Sequence, residues 1–157
     1  MTCRMTCSFD ARGIRLMVEA LNVLARRGML RGGRSLRLAV AEVRVSETGR
    51  MLRIIYARSG RPSAAPYRAG EGFGRELLAV VGGLDASGKF EVESALRLLA
   101  RCGLLFSGLG FSKRVEDLWF DACGMLRIKY ADGKAVRRGR TRLLINLRLV
   151  KLKKEMC

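Results

Sequence analysis

Histidine is absent from this chain of 157 residues, which also holds only 2 prolines, 1 tryptophan and 14 acidic residues. Without histidine the usual general base near neutral pH is missing, so neither a Ser-His nor a Cys-His nucleophile can be assembled. No run approaches the roughly 18 apolar residues of a membrane-spanning helix. The segment Met1-Thr2-Cys3-Arg4-Met5-Thr6-Cys7 lacks the apolar core of a secretion signal. These absences point to a non-enzymatic, cytoplasmic protein with no membrane contact. Cys3, Cys7, Cys102, Cys123 and Cys157 are odd in number and follow no disulfide framework. Cys3 and Cys7 could open a zinc site completed by Cys102 and Cys123, but Cys-x-x-Cys pairs are lacking, so no metal or other cofactor is expected.

What the chain has in excess is positive charge. Lys and Arg number 31, giving a formal net charge of +17 and a pI near 11.0. Such a surplus destabilises a compact chain through self-repulsion unless an anion screens it. Nucleic acid, DNA or RNA, is the expected partner ahead of an anionic membrane surface, because each phosphate contact releases counterions. Coding bias can exchange Lys for Arg but does not remove carboxylates. Hydrophobic residues make up 49% of the chain, enough for a folded core.

The segment Met51-Leu52-Arg53-Ile54-Ile55-Tyr56-Ala57 recurs, with one residue changed, as Met125-Leu126-Arg127-Ile128-Lys129-Tyr130-Ala131. Upstream, Leu24-Ala25-Arg26-Arg27-Gly28-Met29-Leu30 is echoed by Leu99-Ala100-Arg101-Cys102-Gly103-Leu104-Leu105. Two blocks in the same order predict an internal duplication. Apolar residues at three- and four-residue steps predict a helix over 11–27, stopped by Gly28. Alternation through Leu36, Leu38, Val40, Val43 and Val45, then a turn into Met51 to Ala57, predicts a β-hairpin. The second copy reads as a helix near 91–101, a Gly-rich connection 107–110, and strands 115–122 and 125–131.

The predicted fold is therefore α+β: two helix-strand-strand units sharing antiparallel sheet, with helices on one face. Residues 1–58 form the first unit and 59–72, which hold both prolines, a linker. Residues 73–157 form the second, with an extra helix at 73–81 and a basic strand at 141–152. Gly70-Glu71-Gly72-Phe73-Gly74 would open the extra helix. Two similar units also suit a homodimer or a larger nucleoprotein assembly.

The densest basic stretch, 133–154, holds Lys134, Arg137, Arg138, Arg140, Arg142, Arg148, Lys151, Lys153 and Lys154 without one carboxylate, and Arg61 adds a cation in the linker. Arg137 to Arg140 reads as a loop from which guanidinium forks reach phosphates, against the plainer reading of a solvated tail. Arg53 and Arg127 match each other, as do Tyr56 and Tyr130, and Lys129 lies beside the second pair. In an alternating strand, Arg and Tyr three residues apart face opposite sides. Either the arginines follow a backbone or the tyrosines stack on unpaired bases, with Trp119 a further stacking candidate.

Gly82-Gly83-Leu84-Asp85-Ala86-Ser87-Gly88-Lys89-Phe90, followed by a Leu-rich, Gly-stopped helix (Leu98 to Leu104) and paired strands, carries a degenerate resemblance to the LAGLIDADG homing endonucleases. The resemblance implies a DNA-binding relic. The acid that binds the catalytic metal in that family falls at Ser87, so cleavage is not implied. Two alternatives accompany the nucleic-acid-binding reading. One is a structural subunit of a ribonucleoprotein or virion. The other is a metal-dependent nuclease drawing on Asp85, Glu91, Glu93, Glu116, Asp117 and Asp121.

Overall fold

The computed structural model describes residues 11–45, 52–57, 71–73 and 76–150. Helix α1 spans Ala11–Arg26 and is followed by strand β1 (Leu30–Gly32), a 3-10 turn Arg34–Leu36, and strands β2 (Leu38–Val45), β3 (Leu52–Tyr56), β4 (Glu71–Phe73) and β5 (Glu76–Val81). The same run then occurs again: α2 (Ala86–Arg101), β6 (Leu105–Ser107), a 3-10 turn Leu109–Phe111, β7 (Lys113–Phe120), β8 (Leu126–Tyr130), β9 (Ala135–Arg138) and β10 (Thr141–Asn146). All pairings are antiparallel, and the strand order is β4-β3-β2-β1-β5-β10-β6-β7-β8-β9. The fold is α+β.

The registers match across the middle of this sheet. Leu30 pairs with Ala79 as Leu105 pairs with Ile145, and Arg53 pairs with Phe73 as Arg127 pairs with Arg137. Both long strands carry a bulge at the corresponding place, between Val40 and Glu42 in β2 and between Val115 and Asp117 in β7. A helix side chain serves each bulge with different chemistry. Asn22 accepts from the Val43 N–H at 2.8 Å and donates to its carbonyl at 3.0 Å, whereas Arg97 forks onto the two Asp117 oxygens at 2.9 and 3.0 Å.

Each half of the sheet curls. β9 and β10 are separated by β6, β7 and β8 in the hydrogen-bonded order, which in a flat sheet would set them about 19 Å apart. The step from Arg138 to Thr141 can cover only about 11 Å. The bulges supply the added bend and twist that reconcile the two lengths. The helices touch one another, α1 lies on β2 and α2 on β7. Met17, Leu21 and Leu24 of α1, Val92, Leu96 and Leu99 of α2, and Ile54, Leu118, Ile128, Leu143 and Ile145 of the strands are buried in one continuous core.

Both helices end alike. Gly28 and Gly103 take φ of +70° and +75°, a conformation that only a residue without Cβ adopts cheaply. The amides that follow donate back, Met29 to the Leu24 carbonyl at 3.0 Å and Leu104 to the Leu99 carbonyl at 3.1 Å, closing the last turn. At its start α2 is capped by Asp85, whose Oδ1 accepts from the Gly88 N–H at 2.7 Å.

Several expectations change. The segment 73–81 is not a helix: its described residues lie in β4 and β5, and β5 is a central strand paired with β1 and β10. Glu71 and Gly72, placed by the sequence in a linker and at a helix start, belong to β4. The described residues thus form ten strands, where two were expected in the first unit and three in the second. The second helix begins at Ala86 rather than near Glu91. Arg137 and Arg138 are in β9, not a loop, and the last strand stops at Asn146, with 148–150 turning helical. The stretch Gly82 to Phe90 is the exit of a strand and the start of a helix, not the end of one. Among the described residues no helix is long and apolar enough to cross a membrane.

Candidate nucleic-acid interface

The structure divides the predicted cations into two groups. The first lies on β8, β9 and their neighbours and is engaged by carboxylates. Arg127 and Arg137, opposite one another in the ladder, both donate to Asp121 Oδ2, at 3.2 and 2.8 Å. Burial pushes the Asp121 carboxyl up, but the Met125 N–H and the guanidinium groups of Arg137 and Arg127 more than reverse this and hold it at about 2. The Arg137 guanidinium is raised in turn, chiefly by its hydrogen bond to Asp121. Lys129 lies 3.7 Å from Glu116 and Arg148 lies 3.6 Å from Glu76.

The second group has no such partners. Arg138 at the end of β9, Arg140 in the turn, and Arg142 in β10 converge on a cleft of about 700 Å³, lined also by Val80, Ser107, Gly108, Phe111, Tyr130 and Thr141. No carboxylate lines it, and among the described residues these arginines form no ion pair. The Arg140 stem is packed where a Cβ on Gly82 would lie, 3.1 Å from its Cγ. Lys113 joins the rim: its stem passes Gly108, and its Nζ sits 5.4 Å from the centre of the Tyr130 ring. The cleft exists because the sheet curls, bringing the start of β10 beside the end of β9.

The two tyrosines differ in burial. Tyr130 is only 4% exposed, and its hydroxyl donates to Ser107 Oγ at 3.2 Å. It walls the cleft without offering a ring face. Tyr56 is half-buried against Gly32, which has no side chain to meet its hydroxyl. Burial raises the Tyr56 phenol, and a hydrogen bond with the Gly33 backbone partly offsets this. Trp119 is half-buried in β7 and paired across the ladder with Arg127. Arg53 is half-buried on β3, opposite Arg44. Lys134 is exposed in the turn between β8 and β9. Arg61, Lys151, Lys153 and Lys154 lie outside the described residues, as do Cys3 and Cys7; Cys102 is buried and Cys123 exposed.

Lys113, Phe111 and Ser107 were missed in the sequence reading, though the signal was present. The Gly-rich connection leads directly into Phe111-Ser112-Lys113-Arg114, an aromatic and two cations. Among the described residues the counterparts of the lining in the first half are different. In matched register Gly32 stands for Ser107, Leu36 for Phe111, and Glu76 for Arg142. An acid thus replaces a cation at the decisive place. Phe111 and Leu36 share a positive φ, +54° and +53°, so the backbone strain belongs to the turn and not to the cleft. No protein-family model, curated protein or solved structure matches the chain.

Proposed function

We propose that this protein is a non-enzymatic nucleic-acid-binding protein of the cytoplasm that engages backbone phosphates through the cleft at β9 and β10, with the paired cations of β8 and β9 as a secondary surface. The observation that carries the reading is the convergence of Arg138, Arg140 and Arg142 on a cleft with no carboxylate among its described lining residues. Guanidinium groups already neutralised by acids must give up those bonds to take a phosphate, whereas unpaired ones gain a charge-assisted, bidentate contact outright. We further propose that the two halves are copies of one unit. The repeated element order, the matched registers and the positive φ shared by Leu36 and Phe111 support this. One copy then kept a neutral or acidic mouth while the other became basic.

The test is a salt titration of affinity for mixed-sequence single-stranded DNA and RNA. The reading requires a linear loss of log affinity with log salt, with a slope of about −0.7 for each phosphate contacted. Salt-independent binding, or none at low salt, overturns it. The second reading, a structural subunit of an assembly, draws on a different observation. An apolar groove between the helices is lined by Leu16, Val23, Phe90 and Leu98, and Phe90 is 74% exposed, more than a lone solvated helix surface calls for.

A further inference from the structure

We propose that the cleft receives the end of a nucleic-acid strand, holding a terminal phosphomonoester with Arg138, Arg140 and Arg142 and seating the adjoining nucleoside against Phe111 and Val80. This deepens the nucleic-acid reading above and rests on it.

An internal phosphodiester carries one negative charge, but a terminal phosphate carries about −1.5 to −2 with three strong acceptor oxygens. Three guanidinium groups meet at a cleft with no acid in its lining, and the Lys113 ammonium lies 5.4 Å from the ring of Tyr130, which walls it. That concentration of unneutralised cations is more than one phosphodiester balances and is suited to a dianion. Each guanidinium also presents a planar fork, so three of them can occupy the free oxygens of a phosphate that has only one ester link.

The cleft of about 700 Å³ is open toward solvent, lies in the size range of small-ligand sites and has room for one nucleotide. Its lining combines arginines from β9, the turn and β10 with apolar surface from Val80, which pairs across the ladder with Arg142, and from the half-buried Phe111. A phosphate with an attached base calls for both kinds of surface. Thr141 and the exposed Gly108 also line the cleft.

In matched register the first half has Glu76 in place of Arg142, and Glu76 is tied to Arg148 at 3.6 Å. Leu36 replaces Phe111 and Gly32 replaces Ser107, and Tyr56 and Leu77 crowd the space above Gly32.

The experiment compares short labelled single-stranded DNA and RNA oligonucleotides of one sequence, carrying a 5′-phosphate, a 3′-phosphate or hydroxyls at both ends, at fixed salt. One phosphorylated form is expected to bind about tenfold or more tighter than the hydroxyl form, the effect of two or three added charge-assisted bonds. A nucleoside monophosphate is expected to compete away that advantage. Arg142→Gln should lower affinity for the phosphorylated strand more than for the hydroxyl strand, and Phe111→Ala should weaken competition by the monophosphate while leaving that by inorganic phosphate. Equal binding of all three strands overturns the proposal and leaves phosphate-backbone binding standing. No binding of any strand overturns both.

Discussion

Arg127 and Arg137 stand opposite each other on β8 and β9 and converge on a single oxygen, Asp121 Oδ2, at 3.2 and 2.8 Å. Two like charges facing across a ladder repel, and one carboxylate turns that repulsion into a clamp that also fixes the β7 to β8 turn. Asp121 Oδ1 accepts from the Cys123 and Met125 amides, each at 3.0 Å.

Acid should therefore weaken this edge in a defined window. The Asp121 carboxyl is held at about 2, below its ordinary 3.8. A carboxyl depressed on folding stabilises the folded state fully above its unfolded value and loses that contribution as pH falls through the folded one. Urea midpoints measured between pH 4.5 and about 2 should fall in the native chain. In Asp121→Asn the midpoint should be lower at neutral pH and the decline across that window shallower. An unchanged acid limb would remove Asp121 from the account.

Asp85→Ala should destabilise the protein by about 1 kcal/mol through loss of the cap on α2. The bond at stake is the 2.7 Å one from the Gly88 N–H. Asp85→Asn and Asp85→Ser retain a cap acceptor and should restore most of the loss, read as thermal midpoints. Those replacements also separate capping from metal ligation, since Ser would cap a helix but make a poor metal ligand.

Tyr130→Phe addresses the role of the tyrosines. Removing a buried hydroxyl that donates to Ser107 at 3.2 Å strands the Ser107 oxygen and should cost about 1–2 kcal/mol. Tyr56→Phe should cost less, because the Tyr56 ring is only half-buried and faces Gly32. The double variant Ser107→Ala with Tyr130→Phe should recover part of the loss, since both partners are then apolar. Loss of nucleic-acid affinity at unchanged stability would instead favour a stacking role.

The sequence was most legible where its periodicity was clean. Met17, Ala20, Leu21 and Leu24 recur at helical spacing and are buried, and Leu126, Ile128 and Tyr130 alternate with Arg127 and Lys129 as a half-buried strand must. The one-residue difference in spacing between the two repeated blocks falls in the hairpin loops, where β2 ends at Val45 and β3 starts at Leu52, but β7 ends at Phe120 and β8 starts at Leu126. β5 was illegible for a physical reason. Glu76 to Val81 lies between two strands and is buried along most of its length, so its apolar residues run continuously and mimic a buried helix. β9 was hidden by Arg137 and Arg138, which read as loop because nothing local announces that Leu126 and Arg127 will pair with them. The cleft was beyond the sequence altogether, since it depends on β9 meeting β10 through the curl of the sheet.

The two groups of arginines should separate in binding. Arg138→Gln with Arg140→Gln removes cations that have no acid to release, so on a single strand the slope of log affinity against log salt should become shallower by about 0.7 for every phosphate no longer neutralised. Arg127→Gln with Arg137→Gln removes the same formal charge, but from groups bound to Asp121. These can reach phosphate only by breaking that clamp, and their removal leaves Asp121 as a bare acid close to the strand's path. The second double variant should therefore lose affinity with a smaller change of slope, chiefly through added repulsion. Equal slope changes in both would mean that phosphates sample the sheet and the cleft alike, and that the carboxylate clamp does not partition the basic surface.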